Sequence, residues 1–334
     1  MLFPEIEALS EDDRAARYSL FERVAMLPSE GRKQLMRRWN DQKLAYFETN
    51  WECRGRGSQQ EPKGDWRVWL IMAGRGFGKT RAGAEWIHSM AKVPDARIAL
   101  VGPTEDEARA VMVEGPSGVL STADPLSRPV WEPSRGVLAW SSGARGFVYS
   151  GANPEALRGP EHDFAWCDEI AKWARLDESW DNLMFGLRRG RFPRVLATTT
   201  PRPIPFLRKL IARDDVTKTR GRTGDNAELA PGFVDYVAGL YGGTRLGRQE
   251  LDGELIDDVE GSLWPRDLID RCRARGPLHP ASQGPPPRPG GELVRVVVGV
   301  DPPASVGGDA CGIVVCGKSA DGTGWVLEDA SVAG

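Results

Sequence analysis

One short stretch constrains this chain more than any other. Residues 72–83 read "MAGRGFGKTRAG", close to the phosphate-loop pattern G-x-x-x-x-G-K-[ST]. Ala73 stands in the first-glycine slot, Gly74, Arg75, Gly76 and Phe77 fill the variable positions, and Gly78, Lys79 and Thr80 complete the pattern. The flanks suit it. "WRVWLIM" (66–72) is an apolar run that reads as a buried strand, and "TRAGAEWIHSMAKV" reads as a helix stopped by Pro94. In a strand–loop–helix of this kind, backbone N–H groups point at an anion and the helix dipole favours negative charge there. Gly78 lets the backbone approach, Lys79 reaches the β- and γ-phosphates, and Thr80 ligates Mg²⁺. Ala73 costs little if its φ is negative, since only positive φ demands glycine. Arg75 has two readings, a solvated surface arginine or a positive charge beside the γ-phosphate.

The rest of the chain alternates strands and helices. Residues 1–50 read as helical, with Leu20, Val24, Leu27, Leu35 and Trp39 near helical spacing, and 55–65 as a polar, Gly-rich loop. "ARIALVG" (96–102) is the next strand, followed by a helix with Thr104 at its N-cap. Residues 136–151 read as a hairpin, and "FAWC" (164–167) and "RVLATTT" (194–200) as further strands. Such alternation implies a mostly parallel sheet covered by helices, an α/β fold. Residues 201–264 read as mainly helical. A Pro/Gly-rich linker at 273–292 precedes "LVRVVVGVD" (293–301), a strand ending on Asp301, and two more strands.

Two further strand ends carry chemistry. "FAWC" runs into Asp168 and Glu169. Beside a phosphate loop, Asp168 would hold the Mg²⁺ shell and Glu169 would orient and deprotonate a water. Taken alone, the pair could equally be a surface acidic cap. Thr198, Thr199 and Thr200 end the later strand, where hydroxyls can bond the acids or a phosphate, although Thr is an ordinary strand residue.

Composition removes several classes. A formal net charge of −3 argues against a passive nucleic-acid coat. The five cysteines form no C-x-x-C pair and the three histidines lie far apart, which weakens any structural zinc site. The acidic, amphipathic N-terminus does not read as a signal peptide, and no apolar run approaches the ~20 residues of a membrane helix. A cytoplasmic protein is expected.

The blocks "GDWRVWLIMAGRGFGKTRAGAEW", "NPEALRGPEHDFAWCDEIAKW" and "LATTTPRP", in this order, resemble the large terminase subunit of tailed bacteriophages and gene transfer agents. The resemblance implies a P-loop NTPase of the additional-strand catalytic-glutamate type joined to a ribonuclease-H-like nuclease. It implies a motor that drives double-stranded DNA into a procapsid, working with a portal protein and a small terminase subunit as a homo-oligomeric ring in the host cytoplasm. Lys79 and Thr80 then become the phosphate and Mg²⁺ residues, Asp168 the second metal-shell acid, Glu169 the base and Thr198 to Thr200 the coupling element. Gln59 or Gln60 falls where the family carries an adenine-reading glutamine. Arg75 matches an arginine kept inside the family's loop. Arg158 matches one that reaches a neighbouring subunit, unless it only pairs with Glu155 or Glu161.

On this reading the domains are a helical extension (1–55), the ATPase with a helical C-terminal part (56–272), the linker (273–292) and an incomplete nuclease domain (293–334). Asp301 resembles the first carboxylate of a two-metal Mg²⁺ or Mn²⁺ site, with Asp309 assisting. The family's later carboxylates are not matched, so DNA cleavage by this chain is not expected. The basic stretches 187–194 and 218–222 are candidates for salt-sensitive DNA contact, or solvated faces. The competing readings are a helicase-like or repair ATPase, and an ATP-binding remnant without catalysis.

Overall fold

Val68–Ala73 is buried at every position and forms the strand (β1) that feeds the glycine-rich loop. Its odd residues Trp69, Ile71 and Ala73 enter one core, and its even residues Val68, Leu70 and Met72 enter a second on the opposite face. That two-sided burial explains why β1 reads as a continuous apolar run and not as an alternation. Each large side chain so buried contributes about 1.5–3 kcal/mol.

The computed structural model describes residues 18–230, 232–256, 293–301, 311–320, 322 and 324–332. The chain divides into two units, Met1–Glu260 and Gly261–Gly334. The linker at 273–292 and Asp309 lie outside the described residues.

The first unit is built on an eight-stranded sheet of order β3-β4-β5-β2-β6-β7-β1-β8. The strands are β2 (Arg97–Gly102), β3 (Val130–Glu132), β4 (Val137–Ala139), β5 (Arg145–Ser150), β6 (Phe164–Cys167), β7 (Arg194–Thr199) and β8 (Val216–Gly221). From β5 to β8 in the spatial order all neighbours are parallel. The expected hairpin at 136–151 is the antiparallel β4–β5 pair, and β3 extends it. The loop helix, Lys79–Met90, lies close on the sheet at Gly83, where a Cβ would stand 2.2 Å from the Trp166 ring. The next helix begins where expected, with the Thr104 hydroxyl accepting from Glu107 N at 3.1 Å. It widens into a π-helical turn over Ala108–Val113.

The position of β7 decides the geometry of the site. It inserts between β1 and β6, so the phosphate loop, the three threonines and the acid pair leave the sheet as adjacent tips at one edge. Ligands of open α/β sheets bind outside such carboxyl ends.

Four short helices, Leu20–Ala25, Ser29–Met36, Asp41–Thr49 and Trp51–Arg54, precede the sheet around Val24, Trp39, Phe47 and Cys53. Three of their starts are capped by side chains, Ser19 with Glu22 in a reciprocal box, and Asn40 and Asn50.

The expectation of a mainly helical 201–264 needs correcting. Helices occupy Pro205–Ile211, Phe233–Tyr241 and Arg245–Glu250, but Val216–Gly221 is strand β8, paired parallel with β1 from Val68↔Val216 to Ala73↔Gly221. Its polar Thr, Lys and Arg residues suit an edge strand, and they mask the β-branched signal of Val216, Thr217 and Thr219. Trp69 Nε1 donates to the Thr219 hydroxyl at 2.8 Å and locks the pairing.

The second unit holds an antiparallel sheet of order β11-β10-β9, made of β9 (Leu293–Asp301), β10 (Gly312–Ser319) and β11 (Gly324–Asp329). Asp301 pairs with Gly312 at one end, and β9 is exposed along nearly all its length.

Candidate functional site

The loop from Gly74 to Gly78 turns on two left-handed glycines, Gly76 (φ 75°) and Gly78 (φ 99°), conformations open at little cost only to glycine. Ala73 is absent from the positive-φ residues. It closes β1 opposite Gly221 as an ordinary strand residue, which is why alanine serves in the first-glycine slot. Phe77 is fully buried and packs on Gly221, where a Cβ would come within 2.0 Å of its ring.

Lys79 opens the helix and folds back under the loop. Its Nζ donates to Ala73 O (3.0 Å), Gly74 O (3.3 Å) and the Thr200 hydroxyl (3.1 Å). The same ammonium lies 3.3 Å from Glu169 Oε1, with the lysine side chain 8% and the glutamate side chain 18% exposed. Glu169 is one of two described non-glycine residues with positive φ (47°), a conformation that costs on the order of 1–3 kcal/mol. The carboxylate accepts from Thr200 N (3.0 Å) and from the Thr200 hydroxyl (3.3 Å), while Glu169 N donates to the Thr198 hydroxyl (3.2 Å). Thr198 in turn donates to Asp168 Oδ1 at 2.6 Å. Thr199 donates to Thr200 O and accepts from Ala171 N, bracing the turn after the acids. The threonines of β7 therefore join the loop lysine on one side to both acids on the other.

The two acids are held differently. Burial pushes the Asp168 carboxyl up to about 6, against the pull of the Thr198 hydroxyl. Burial also acts to raise Glu169, but the Lys79 ammonium and the Thr200 N–H outweigh it and hold the carboxyl below its usual range. Glu169 is thus ionised at neutral pH. Thr80 stands half-buried on the first turn of the helix.

The flanking candidates separate. Gln59 is buried against the loop, and its Nε2 donates to Phe77 O (3.4 Å) and Gly78 O (3.2 Å). Gln60 donates instead to Trp51 O and Gly55 O, away from the loop. Arg75 turns outward, its side chain 70% exposed and its Nε 2.6 Å from Glu250 Oε2. Arg158 is 74% exposed and 3.8 Å from Glu155. Asp301 ends β9 exposed. In the basic stretches, Arg188, Arg189 and Arg194 pair with Glu161, Asp163 and Glu61.

Residues that the sequence did not single out complete the loop. Arg56 is buried, stacks 4.9 Å over the Phe77 ring and donates to Phe77 O. The Thr223 hydroxyl donates to Arg75 O and Asn226 Nδ2 to Gly76 O, each at 2.6 Å. Glu250 O accepts from Arg75 N at 2.7 Å. They reach the loop from about 20 to 175 positions away, so no local pattern marks them.

A family model described as "Terminase large subunit, T4likevirus-type, N-terminal" matches residues 70–271, the stretch that holds the loop, both acids and the threonines. The chain belongs to the large terminase subunit family. Among solved structures, the large terminase of a thermophilic bacteriophage is similar at 12% identity and a TM-score of 0.47, over 86% of this chain and 67% of that one. The same phage protein in complex with ADP matches at 12% identity and a TM-score of 0.49, over 80% and 64%. The ATPase domain of the Thermus phage P74-26 large terminase matches at 16% identity and a TM-score of 0.46, over 65% and 98%. The chain spans about two thirds of the thermophilic-phage terminase chains it matches. No curated protein matches it. Among the described residues no group of three or more His, Cys, Asp or Glu could hold a metal ion, and no helix is long and apolar enough to cross a membrane.

Proposed function

We propose that this terminase subunit binds and hydrolyses ATP to move double-stranded DNA into a procapsid. One observation carries the reading: Lys79 Nζ and Glu169 Oε1 stand 3.3 Å apart at the tips of the sheet, both bonded to Thr200 on the strand between them. A lysine on a phosphate loop and an ionised carboxylate at that separation can serve one triphosphate. Lys79 would leave Glu169 for the β- and γ-phosphates, freeing the carboxylate to orient a water and take its proton. The Thr80 hydroxyl and the Asp168 carboxylate are hard oxygen donors of the kind Mg²⁺ takes, alongside phosphate oxygens and waters; the ion would neutralise charge on the transferring phosphoryl group. Gln59, against the loop, is the better of the two glutamines for the base of the nucleotide. Arg75 would exchange Glu250 for the γ-phosphate, and the exposed Arg158 would complete the site of a neighbouring copy in a ring. Thr198 to Thr200 would pass the state of the site to the acid turn through β7. Asp301 is proposed as one carboxylate of a nuclease centre. The portal protein and small terminase subunit are the proposed partners.

Phosphate release from ATP, measured with and without double-stranded DNA and a portal protein, tests this. Turnover is expected to fall by about 100-fold or more in both Lys79→Ala and Glu169→Gln, the order supplied by a general base, with ATP binding kept in Glu169→Gln. Native turnover in both variants would sink the reading, and absent turnover in the unaltered chain with DNA and portal would favour a binding remnant.

A further inference from the structure

The loop presents N–H groups only if its carbonyls turn the other way, because each peptide plane fixes C=O and the next N–H on opposite sides. Every carbonyl from Ala73 to Gly78 meets a side-chain donor. Lys79 takes Ala73 O and Gly74 O, Thr223 takes Arg75 O, Asn226 takes Gly76 O, Arg56 takes Phe77 O, and Gln59 takes Gly78 O. Among the described residues the N–H groups of Gly76, Gly78, Lys79 and Thr80 find no acceptor.

We propose that Arg56, Thr223 and Asn226 are positioning residues of the phosphate loop, acting through its carbonyls and not on the nucleotide; the inference rests on the ATP-site reading above. Thr223, holding Arg75 O, aims the Gly76 N–H. Arg56, holding Phe77 O, aims the Gly78 N–H. Asn226 fixes the peptide between them. Two of the three follow directly after β8, in the 3₁₀ turn Thr223–Asp225 and the residue that caps it. The turn is itself anchored by Thr223 N donating to Leu251 O at 2.7 Å. The last strand of the sheet thereby shapes the loop that begins at its neighbour β1. Arg56 is nearly inaccessible and its Nε has no partner in the described residues. A buried guanidinium of this kind is costly to keep; one of its nitrogens lies 3.8 Å from the Glu22 carboxylate, and its other terminal nitrogen and its flat face are given to the loop carbonyl and the loop ring.

Calorimetric titration of Mg·ADP into the full chain and its variants tests this. Thr223→Val keeps the shape and removes the donor, and Asn226→Ala removes the donor at a half-buried position, together with the Oδ1 that accepts from Glu228 N. Each is expected to weaken Mg·ADP by up to about tenfold, the order of one lost hydrogen bond. Arg56→Lys keeps a charge but loses the flat group that both stacks and donates, and should weaken binding by at least as much. Thr223→Ser restores the hydroxyl and the affinity. The melting temperature of Asn226→Ala without nucleotide should match the native one, which a merely structural role would not give. Native affinity in Thr223→Val and Asn226→Ala, or no recovery in Thr223→Ser, overturns the assignment while the ATP site stands. A native chain that binds no Mg·ADP removes the ATP-site reading, and this inference with it.

Discussion

Asp168 and Asp301 each end an apolar β-strand, and in sequence they look alike. Asp168 leaves β6 between two parallel neighbours, so the tips of β2 and β7 flank it, and Thr198 reaches it at 2.6 Å. It is buried and its carboxyl is pushed up to about 6. Asp301 leaves β9, which among the described residues is an edge strand with one antiparallel partner, and is exposed. The difference teaches that a strand-end acid becomes a site through the strands beside it. Parallel pairing gathers several carboxyl ends at one edge, whereas antiparallel pairing sets a strand's end beside its neighbour's start.

The sharpest break between the two regions is catalytic. Glu169→Gln should cost about 100-fold or more in ATP turnover, while Asp301→Asn should leave turnover native. An equal loss in both, read as phosphate release, would dissolve the distinction.

Stability against pH comes next. The folded-state carboxyl of Asp168 lies above its unfolded value of 3.8, at about 6. The folded state therefore binds more protons between these values, and its stability falls as pH rises through the window. Asp168→Asn removes this penalty, which is of order 2–3 kcal/mol. With divalent metal chelated, the variant should unfold at higher denaturant than the native chain at pH 8, and the gain should vanish near pH 4. Glu169 has the opposite sign: its depressed carboxyl contributes stability above the unfolded value of 4.5 that is lost on acidification.

Gly221→Ala probes the packing beneath the loop. A methyl there would press on the Phe77 ring, and overpacking of this kind costs about 1–3 kcal/mol, visible in chemical unfolding. A similar exchange at Gly299 in β9, where among the described residues a Cβ would meet only Val314 O at 3.9 Å, should cost less. The smallest effect belongs to Arg158→Ala, whose exposed pair with Glu155 at 3.8 Å should change stability by less than about 0.5 kcal/mol. On the proposed neighbour-completing role, any loss of turnover should appear only where copies of the chain assemble.

Much of this was legible. The strands β1, β2, β6 and β7 announce themselves because both faces are buried, leaving unbroken apolar runs, and the lysine, acids and threonines fall at their ends. Strand β8 was not legible, since an edge strand tolerates Lys218 and Arg220 in a pattern that looks like a solvated turn. Nor could the sequence decide between Gln59 and Gln60, or foresee Thr223 and Asn226. Those choices are made by the chain returning to the loop from 19 and about 150 positions away. Arg75 shows the reverse case: the sequence placed it in the loop, but only the fold supplied Glu250 as its counter-charge.

The left-handed turn at Glu169 also bears on which half of the lysine–glutamate pair would travel in the proposed cycle. Glu169 is set at its root by an unusual backbone and held at its end by the Thr200 amide. Lys79 carries a longer side chain on a helix start, so the arrival of a competing anion would be answered first by the lysine, a tether swung over a post.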